Sequence, residues 1–337
     1  MEKKWFIGID VSMKWHNLAA LSGVNPEQYA CEFKFDNTLT GYSKFEKQLA
    51  QHGIDLEDSV VCMEHTGTHS LLFIAWLQQR GISTVVEPAL QIKKSLGMQR
   101  GKNDQVDARR IAEYAFMQRH KLKEYKLHSR DLLKVKQLLT YREQLVKTRT
   151  MYKNSLKSHQ QYDQLTDNKS VIDDIDGLIR LFDEKINKAE QQIIDLIGSD
   201  EELKRNYKLA NSVKGVGLVI SAMMLVTTHN FTAFSNARTY NCYTGLAPYE
   251  HTSGTSIKGK TRTSHLGHKR LKAYLNNGAN SACNHDPEIR MYYKRKREEG
   301  KEHKLIMNAI ANKIVSRVFA VVNRQTPYVS IYQQKFN

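Results

Sequence analysis

Acidic residues are in short supply in this 337-residue chain: 35 Asp and Glu face 51 Lys and Arg, a formal charge of +16. That imbalance argues against a basic partner and for a polyanionic one, most often nucleic acid, because phosphates reward many weak basic contacts by releasing counterions. An anionic membrane surface is the rival. No uninterrupted run of about 18 apolar residues occurs, so a transmembrane helix is not expected. The opening "MEKKWFIGID" lacks the long apolar core and small-residue cleavage site of a signal peptide, and its short apolar run reads as a first strand. Cysteine is sparse and scattered (Cys31, Cys62, Cys242, Cys283), with no C-x-x-C pair. Neither a zinc ribbon nor a disulfide framework is expected, and a reducing cytoplasm fits.

Proline and tryptophan are missing between about 125 and 205, and glycine is rare there. What fills that stretch is Leu, Ile, Lys, Glu and Gln, with Leu132, Val135, Leu139, Leu145 and Val146 at helical spacing. After the polar "QYDQLTDNKS", Ile172, Ile175, Ile179, Ile186, Ile193 and Ile197 repeat the pattern. Two long helices follow from it, as an antiparallel hairpin or an intermolecular coiled coil that mediates assembly. Ahead of this stretch, "WFIGIDVS", "NLAALSG" and "YACEFKFDN" read as three antiparallel strands. Helix, strand, helix, strand and a last helix from Asn103 come next, the order of an α/β domain whose mixed sheet is covered on both faces. The expected domains are 1–124, 125–205 and a mostly α-helical 206–337. The third opens on "SVKGVGLVISAMMLV", whose Gly-x-Gly either presents backbone N–H groups to a phosphate or makes a tight turn between core helices.

Four carboxylates stand where chemistry is plausible. Asp10 ends the apolar strand "WFIGID" and Glu64 ends "VVCME" in the same way. A lone buried carboxylate there costs several kcal/mol unless paired or bound to a metal. Asp104 and Asp107, in "GKNDQVDARRIAEYA", lie one helical turn apart and face one point. Oxygen donors of this kind suit hard divalent ions. Two Mg2+ ions roughly 3.5–4 Å apart would activate a nucleophile and stabilise a leaving oxygen in phosphoryl transfer. Each acid also has a bland explanation: a turn cap for Asp10, a basic partner for Glu64, the helix dipole for Asp104 and Asp107. His65 and His69, four apart, straddle a Thr-Gly-Thr that makes a poor helix, so a histidine metal site is not expected.

Basic residues cluster twice. Lys102, Arg109 and Arg110 crowd the aspartate pair, where they hold phosphate or balance charge. Between Lys258 and Lys304, thirteen Lys or Arg face five Asp or Glu, interleaved with tyrosines. Lys258, Lys260, Arg262, His265, His268, Lys269 and Arg270 lie in or just after a Gly/Ser/Lys-rich loop and are expected to contact nucleic acid, His265 and His268 at its phosphates. Lys294, Arg295 and Arg297 lie in "YYKRKREEGKEHK", a nucleic-acid contact or a solvated helix face.

"GIDVSMKWHNLAAL", "MEHTGTHSLLFIAWLQQRG", the K-x-D-x-x-D-A stretch and the later G-L-x-P-x-x-x-x-S-G resemble the insertion-sequence transposases of the one-ten type, which are bridge-RNA-guided recombinases. The resemblance covers nearly the whole chain and is loosest in the helical middle. It implies an RNase H-like (RuvC-like) first domain whose Asp-Glu-Asp-Asp set, Asp10, Glu64, Asp104 and Asp107 here, binds Mg2+. It also implies that Ser253, in the S-G pair, attacks a DNA phosphodiester and forms a covalent phosphoserine. Partners follow from it: target and donor DNA, a bridge-type guide RNA, and further copies of the chain in a dimer or tetramer that holds two duplexes. On residue chemistry alone Ser253 is a solvated loop serine without an evident base, although His251 is near, and Ser256 is the rival nucleophile. A metal-dependent structure-specific nuclease and a non-catalytic nucleic-acid-binding protein are the competing functions.

Overall fold

A computed structural model describes residues 3–97, 103–253, 257–264 and 266–330; at 164, 166, 251–253 and 257–261 it describes backbone alone. The chain divides into two compact units, Met1–Leu127 and His128–Asn337.

The first unit is built on strands β1 (Trp5–Val11), β2 (Trp15–Ser22), β3 (Tyr29–Asp36), β4 (Ser59–Glu64) and β5 (Ser83–Glu87). They lie in the order β3-β2-β1-β4-β5. The first three run antiparallel, as expected from their short connections, while β4 and β5 add in parallel through helical crossovers. Helices α1 (Leu39–Gln51) and α2 (Leu71–Gln79) supply those crossovers, and α3 (Ala89–Ser95) and α4 (Asp104–Met117) follow β5. The short α3 is one helix more than the sequence pattern suggests; its seven residues hold a single buried apolar anchor, Ile92, too few to show a period.

Strand alternation divides the apolar side chains between two cores. Ile7, Ile9, Val61 and Met63 face α1 and α2, where Phe35, Tyr42, Phe45, Phe73 and Trp76 form an aromatic cluster. Phe6, Val60, Cys62 and Val85 face the other way, onto α3 and α4. Thr38 caps α1, accepting a bond from the Gly41 N–H at 3.1 Å, and Asn103 does the same for α4 at the Val106 N–H.

In the second unit, α5 (Arg130–Thr166) and α6 (Lys169–Gly198) form an antiparallel hairpin within one chain. Most of the polar "QYDQLTDNKS" belongs to α5, and the reversal is confined to Asp167, in the left-handed region, and Asn168. Leu132, Val135, Leu139, Ile193 and Ile197, at the root of this hairpin, share a core with α7 (Glu201–Ser212), α8 (Leu218–Thr227), α9 (Ala237–Thr244), α10 (Lys269–His285), α11 (Pro287–Glu298) and α12 (His303–Arg324). By length and composition α12 would suffice to cross a membrane, yet Ile306, Ile310, Ile314, Val318 and Val322 are buried in that core.

Two glycine features in this unit have steric causes. Gly215, at φ +89°, lies against Gly278 of α10 so closely that a β-carbon would sit 2.3 Å from the Gly278 carbonyl oxygen. Gly215 therefore serves a tight backbone crossing between core helices, whereas a β-carbon at Gly217 would meet nothing within 4 Å among the described residues. The Gly/Ser/Lys-rich stretch expected to be a loop is instead a two-stranded antiparallel hairpin, β6 (Pro248–Ser253) with β7 (Ile257–Thr263). Its composition hides the strands, since on a two-stranded ribbon few side chains need to be apolar.

Candidate active site and nucleic-acid interface

In the first unit, three contacts set the direction of α4 on the sheet. Phe6, early in β1, meets Phe116, late in α4, edge-on with ring centroids 5.4 Å apart. Gly8 lies directly beneath the middle of the helix: a β-carbon there would come within 2.2 Å of the Ala108 carbonyl oxygen and 2.3 Å of the Ala112 nitrogen. Gln105, in the first turn, donates to the Leu18 carbonyl at 2.8 Å, and Leu18 is the cross-strand partner of Ile9. So α4 runs antiparallel to β1, with its first turn above the strand's C-terminal end.

Side chains two apart on a strand share a face, which puts Asp10 on the α4 side with Phe6 and Gly8. Glu64 follows Cys62 onto the same face, one position beyond the last β1–β4 pair, Ile9 with Met63. Asp10, next to last in β1, and Glu64, last in β4, thus lie near the same end of adjacent parallel strands, beside the turn that carries Asp104 and Asp107. Asp104 is exposed; the other three are partly covered.

Asp107 is ion-paired with Arg110 at 2.9 Å. Arg109 turns the other way, gripping Glu32 of β3 with two bonds of 2.8 Å and lying over the Tyr29 ring. Lys102 falls outside the described residues. Among the described residues, no three His, Cys, Asp or Glu side chains converge to hold a metal ion. An all-oxygen set at one end of a sheet still has the right donor chemistry for a hard divalent cation, provided Asp107 exchanges Arg110 for the ion. His65 and His69 lie in the connection after β4, outside any helix.

One acid went unnoticed in the sequence. Glu87 ends β5 as Glu64 ends β4, the two are register partners, and both add negative potential at the buried Cys62 thiol, which burial already pushes up. Burial raises the Glu87 carboxyl as well, against an opposing hydrogen bond from Tyr114. The signal was present, since "VVE" repeats the pattern of "VVCME".

In the second unit, Ser253 is the last residue of β6, opposite Ile257; Ser256 lies outside the described residues. Lys258 and Lys260 lie on β7, and the exposed Arg262 is opposite Tyr249. The hairpin is held at its base. Gly245, at φ +74°, abuts Gly267, where a β-carbon would lie 2.3 Å from the Gly245 Cα. Lys272 donates to the Gly245 carbonyl at 2.8 Å and to Thr263 Oγ1 at 3.0 Å, and its burial lowers the ammonium's pKa. Asn308 and Asn312 of α12 both donate to the Leu246 carbonyl, at 2.9 and 3.2 Å.

The remaining basic candidates have varied surroundings. His268 caps α10, its Nδ1 accepting from the Leu271 N–H at 3.1 Å, and burial lowers its pKa. Arg270 ion-pairs with Glu143 and donates to the Leu139 carbonyl at 2.6 Å, tying α10 to α5. Lys269 and Lys294 are exposed. Arg295 lies 3.8 Å from Glu299, and Arg297 donates to the Lys301 carbonyl at 3.0 Å. His265 falls outside the described residues.

Comparison with known proteins matches two transposase models to this chain. One, the DEDD transposase of the IS110 type, spans residues 7–162, and the other, described as Transposase IS116/IS110/IS902 family, spans 207–294. The pilin gene-inverting protein of Moraxella bovis is 28% identical over 333 residues, covering 96% of this chain and 98% of that protein. Its counterpart in Moraxella lacunata is 27% identical over the same length. An uncharacterized 43.6 kDa protein of insertion element IS110 from Streptomyces coelicolor is 37% identical over 119 residues, 35% of this chain and 29% of that protein. The two models and these relatives together show an enzyme of the DNA transposase and recombinase class. Within that class, the chain belongs to the IS110 family.

Proposed function

We propose that this transposase recombines DNA through a covalent serine intermediate, assisted by Mg2+ at the carboxylate face. The observation that carries the proposal is the placement of Asp10 and Glu64 on adjacent parallel strand ends beside the turn bearing Asp104 and Asp107. The sheet order β3-β2-β1-β4-β5, three antiparallel strands extended by two parallel ones, supports an RNase H-like (RuvC-like) reading of this unit.

Asp10, Glu64, Asp104 and Asp107 would hold the Mg2+, which supplies positive charge against the phosphate and its leaving oxygen. Ser253 supplies the nucleophile. Its Oγ–P bond forms as one P–O bond of the DNA backbone breaks; the serine proton passes to solvent or a base, and the released strand end takes up a proton. Attack by a second strand end on the phosphoserine reverses these steps, so the backbone is rejoined without net hydrolysis. DNA inversion of the kind named for the Moraxella relatives is one outcome of such chemistry. The family resemblance adds a bridge-type RNA that chooses target and donor by base pairing, and a dimer or tetramer to hold two duplexes; the +16 charge supports polyanionic partners.

The test incubates protein, RNA, DNA and Mg2+ and looks for a covalent protein–DNA adduct on denaturing gels. Adduct formation that disappears in Ser253→Ala, in Asp10→Asn and in EDTA is the expected result. Cleavage that survives Ser253→Ala but is lost in Asp10→Asn would leave a hydrolytic nuclease in its place. Omitting the RNA, or replacing it with one of unrelated sequence, tests the guide separately.

A further inference from the structure

Beside the base of the β6–β7 hairpin lies a groove of about 1010 Å³, walled by α10, α11 and α12. That is at the upper end of the roughly 300–1,000 Å³ that encloses a whole small ligand. Its lining has a distinctive chemistry. Arg262, Lys304 and Lys313 line it; the Lys313 ammonium lies 4.7 Å over the Tyr292 ring, itself part of the lining, and none of the three has a carboxylate at ion-pair distance among the described residues. No Asp or Glu is among the described residues that line it. Uncompensated cations in a concave, partly desolvated site attract an anion far more strongly than the same charges spread on a convex face.

The groove also carries amides. Asn276 and Asn280, one turn apart on α10, face it together and have no hydrogen-bond partner among the described residues. Asn308 and Asn312 differ from them, since their N–H groups are spent on the Leu246 carbonyl. A half-buried amide such as Asn276 offers a donor and an acceptor side by side, the pairing that matches the edge of a nucleobase. A base inside a paired duplex has its Watson–Crick edge occupied; an unpaired one can offer it to these amides.

We infer that this groove seats a short single-stranded DNA segment, with phosphates on Arg262, Lys304 and Lys313 and one unpaired base against Asn276 and Asn280. The groove begins at Pro248 and Thr263, five residues along β6 from Ser253, about 17 Å at strand rise. A strand cut at the hairpin would therefore have its flank, about five base steps away, within reach of the groove. Transient single strands are what a DNA-exchanging enzyme must shelter, which selects DNA over RNA as the occupant. The inference rests on the transposase class and not on Ser253 being the nucleophile.

Fluorescence anisotropy of the full chain tests it, using a labelled 12-nucleotide DNA strand, the same sequence as duplex, and the RNA equivalent, across a salt series. The single strand of DNA should bind tightest. The double variant Lys304→Gln/Lys313→Gln should weaken it about tenfold and reduce its salt slope by about 1.4, the value for two single-strand phosphate contacts. Asn276→Ala/Asn280→Ala should leave the salt slope unchanged and flatten differences between oligo-dA, oligo-dC and oligo-dT. Ser253→Ala should bind like the parent, so loss of the covalent adduct and loss of groove binding report on separate claims. Thermal melts establish that each variant is folded. Equal losses for duplex and single strand, tighter binding of RNA, or unchanged affinity in the lysine variant would each overturn the inference.

Discussion

The two matched domains hold their proposed reactive residues by opposite means. At the carboxylate face, a helix is pressed onto a sheet with no side chain between them at Gly8, and Asp104 and Asp107 are placed by the packing of an entire core. At the hairpin, Ser253 lies five residues out from a base fixed by a glycine–glycine contact and a few hydrogen bonds. Core packing is unforgiving, because interiors are close-packed and a single added methyl must displace backbone. A ribbon secured only at its base can move at its end without loss of fold. The proposed metal chemistry, which needs fixed geometry, would suit the first arrangement, and the proposed serine nucleophile, which must follow a DNA strand, would suit the second.

Gly8→Ala should separate the two most sharply. It should cost at least about 3 kcal/mol of stability in the first unit, read by denaturant unfolding, and abolish strand transfer even in the protein that remains folded. The unfolding of the second unit should be unchanged, and equal loss in both would dissolve the contrast.

The next effect comes from the opposite side of the same sheet. His16 is fully buried among Phe35, Tyr42 and Phe73, and burial pushes its pKa down to about 4 against smaller opposing contributions from Asn37 and the Trp15 backbone. Above about pH 6.5 the ring is neutral in both folded and unfolded chains and costs no protonation energy. As pH falls below that, the unfolded chain takes up the proton first, so stability drops, by as much as roughly 3 kcal/mol on reaching pH 4. His16→Leu should remove this acid sensitivity from the first unit; a pH profile identical to the parent's would exclude His16 as its source.

Gly267→Ala should cost less, about 1–2 kcal/mol, because the hairpin base can shift without opening a core. It should nonetheless lower adduct formation at Ser253 more than Asp10-dependent Mg2+ binding, as read by isothermal calorimetry. Smallest is Arg110→Gln. Removing the 2.9 Å pair with Asp107 frees a carboxylate for the ion, and Mg2+ affinity should rise a few-fold. A fall in affinity would show that Arg110 positions Asp107 and does not compete for it.

Much of the first unit was legible in the sequence because its elements each carry a complete signal. Apolar strands ending in an acid, helices closed by Gly53 and Gly81, and the Asn103 cap are local patterns with local causes. The register that brings Glu64 beside Asp10 was not legible, since parallel pairing is set by crossovers and not by the strands themselves. Glu87 carries the same apolar-then-acid pattern, but only the β4–β5 register makes it a neighbour of Glu64. The hairpin was read as a loop because "HTSGTSIKGKTRT" has no apolar alternation to report. Arg270 and His268 were grouped with phosphate contacts on charge alone, and sequence does not reveal that one spans to Glu143 and the other caps α10.

The docking of α4 across Gly8 has a consequence for how the enzyme is made. Strands β1 to β5 can pair as they leave the ribosome, but the acidic turn reaches Asp10 only after residues 104–117 have been synthesised and folded back over the first strand. The contact spans about a hundred residues of chain, so its closure entropy is met late, once the sheet already exists. A nascent or truncated transposase ending before residue 104 would bear Asp10 and Glu64 without their helical partners. The proposed ion site would thus be completed only once α4 has docked, later than the sheet that carries its first two acids.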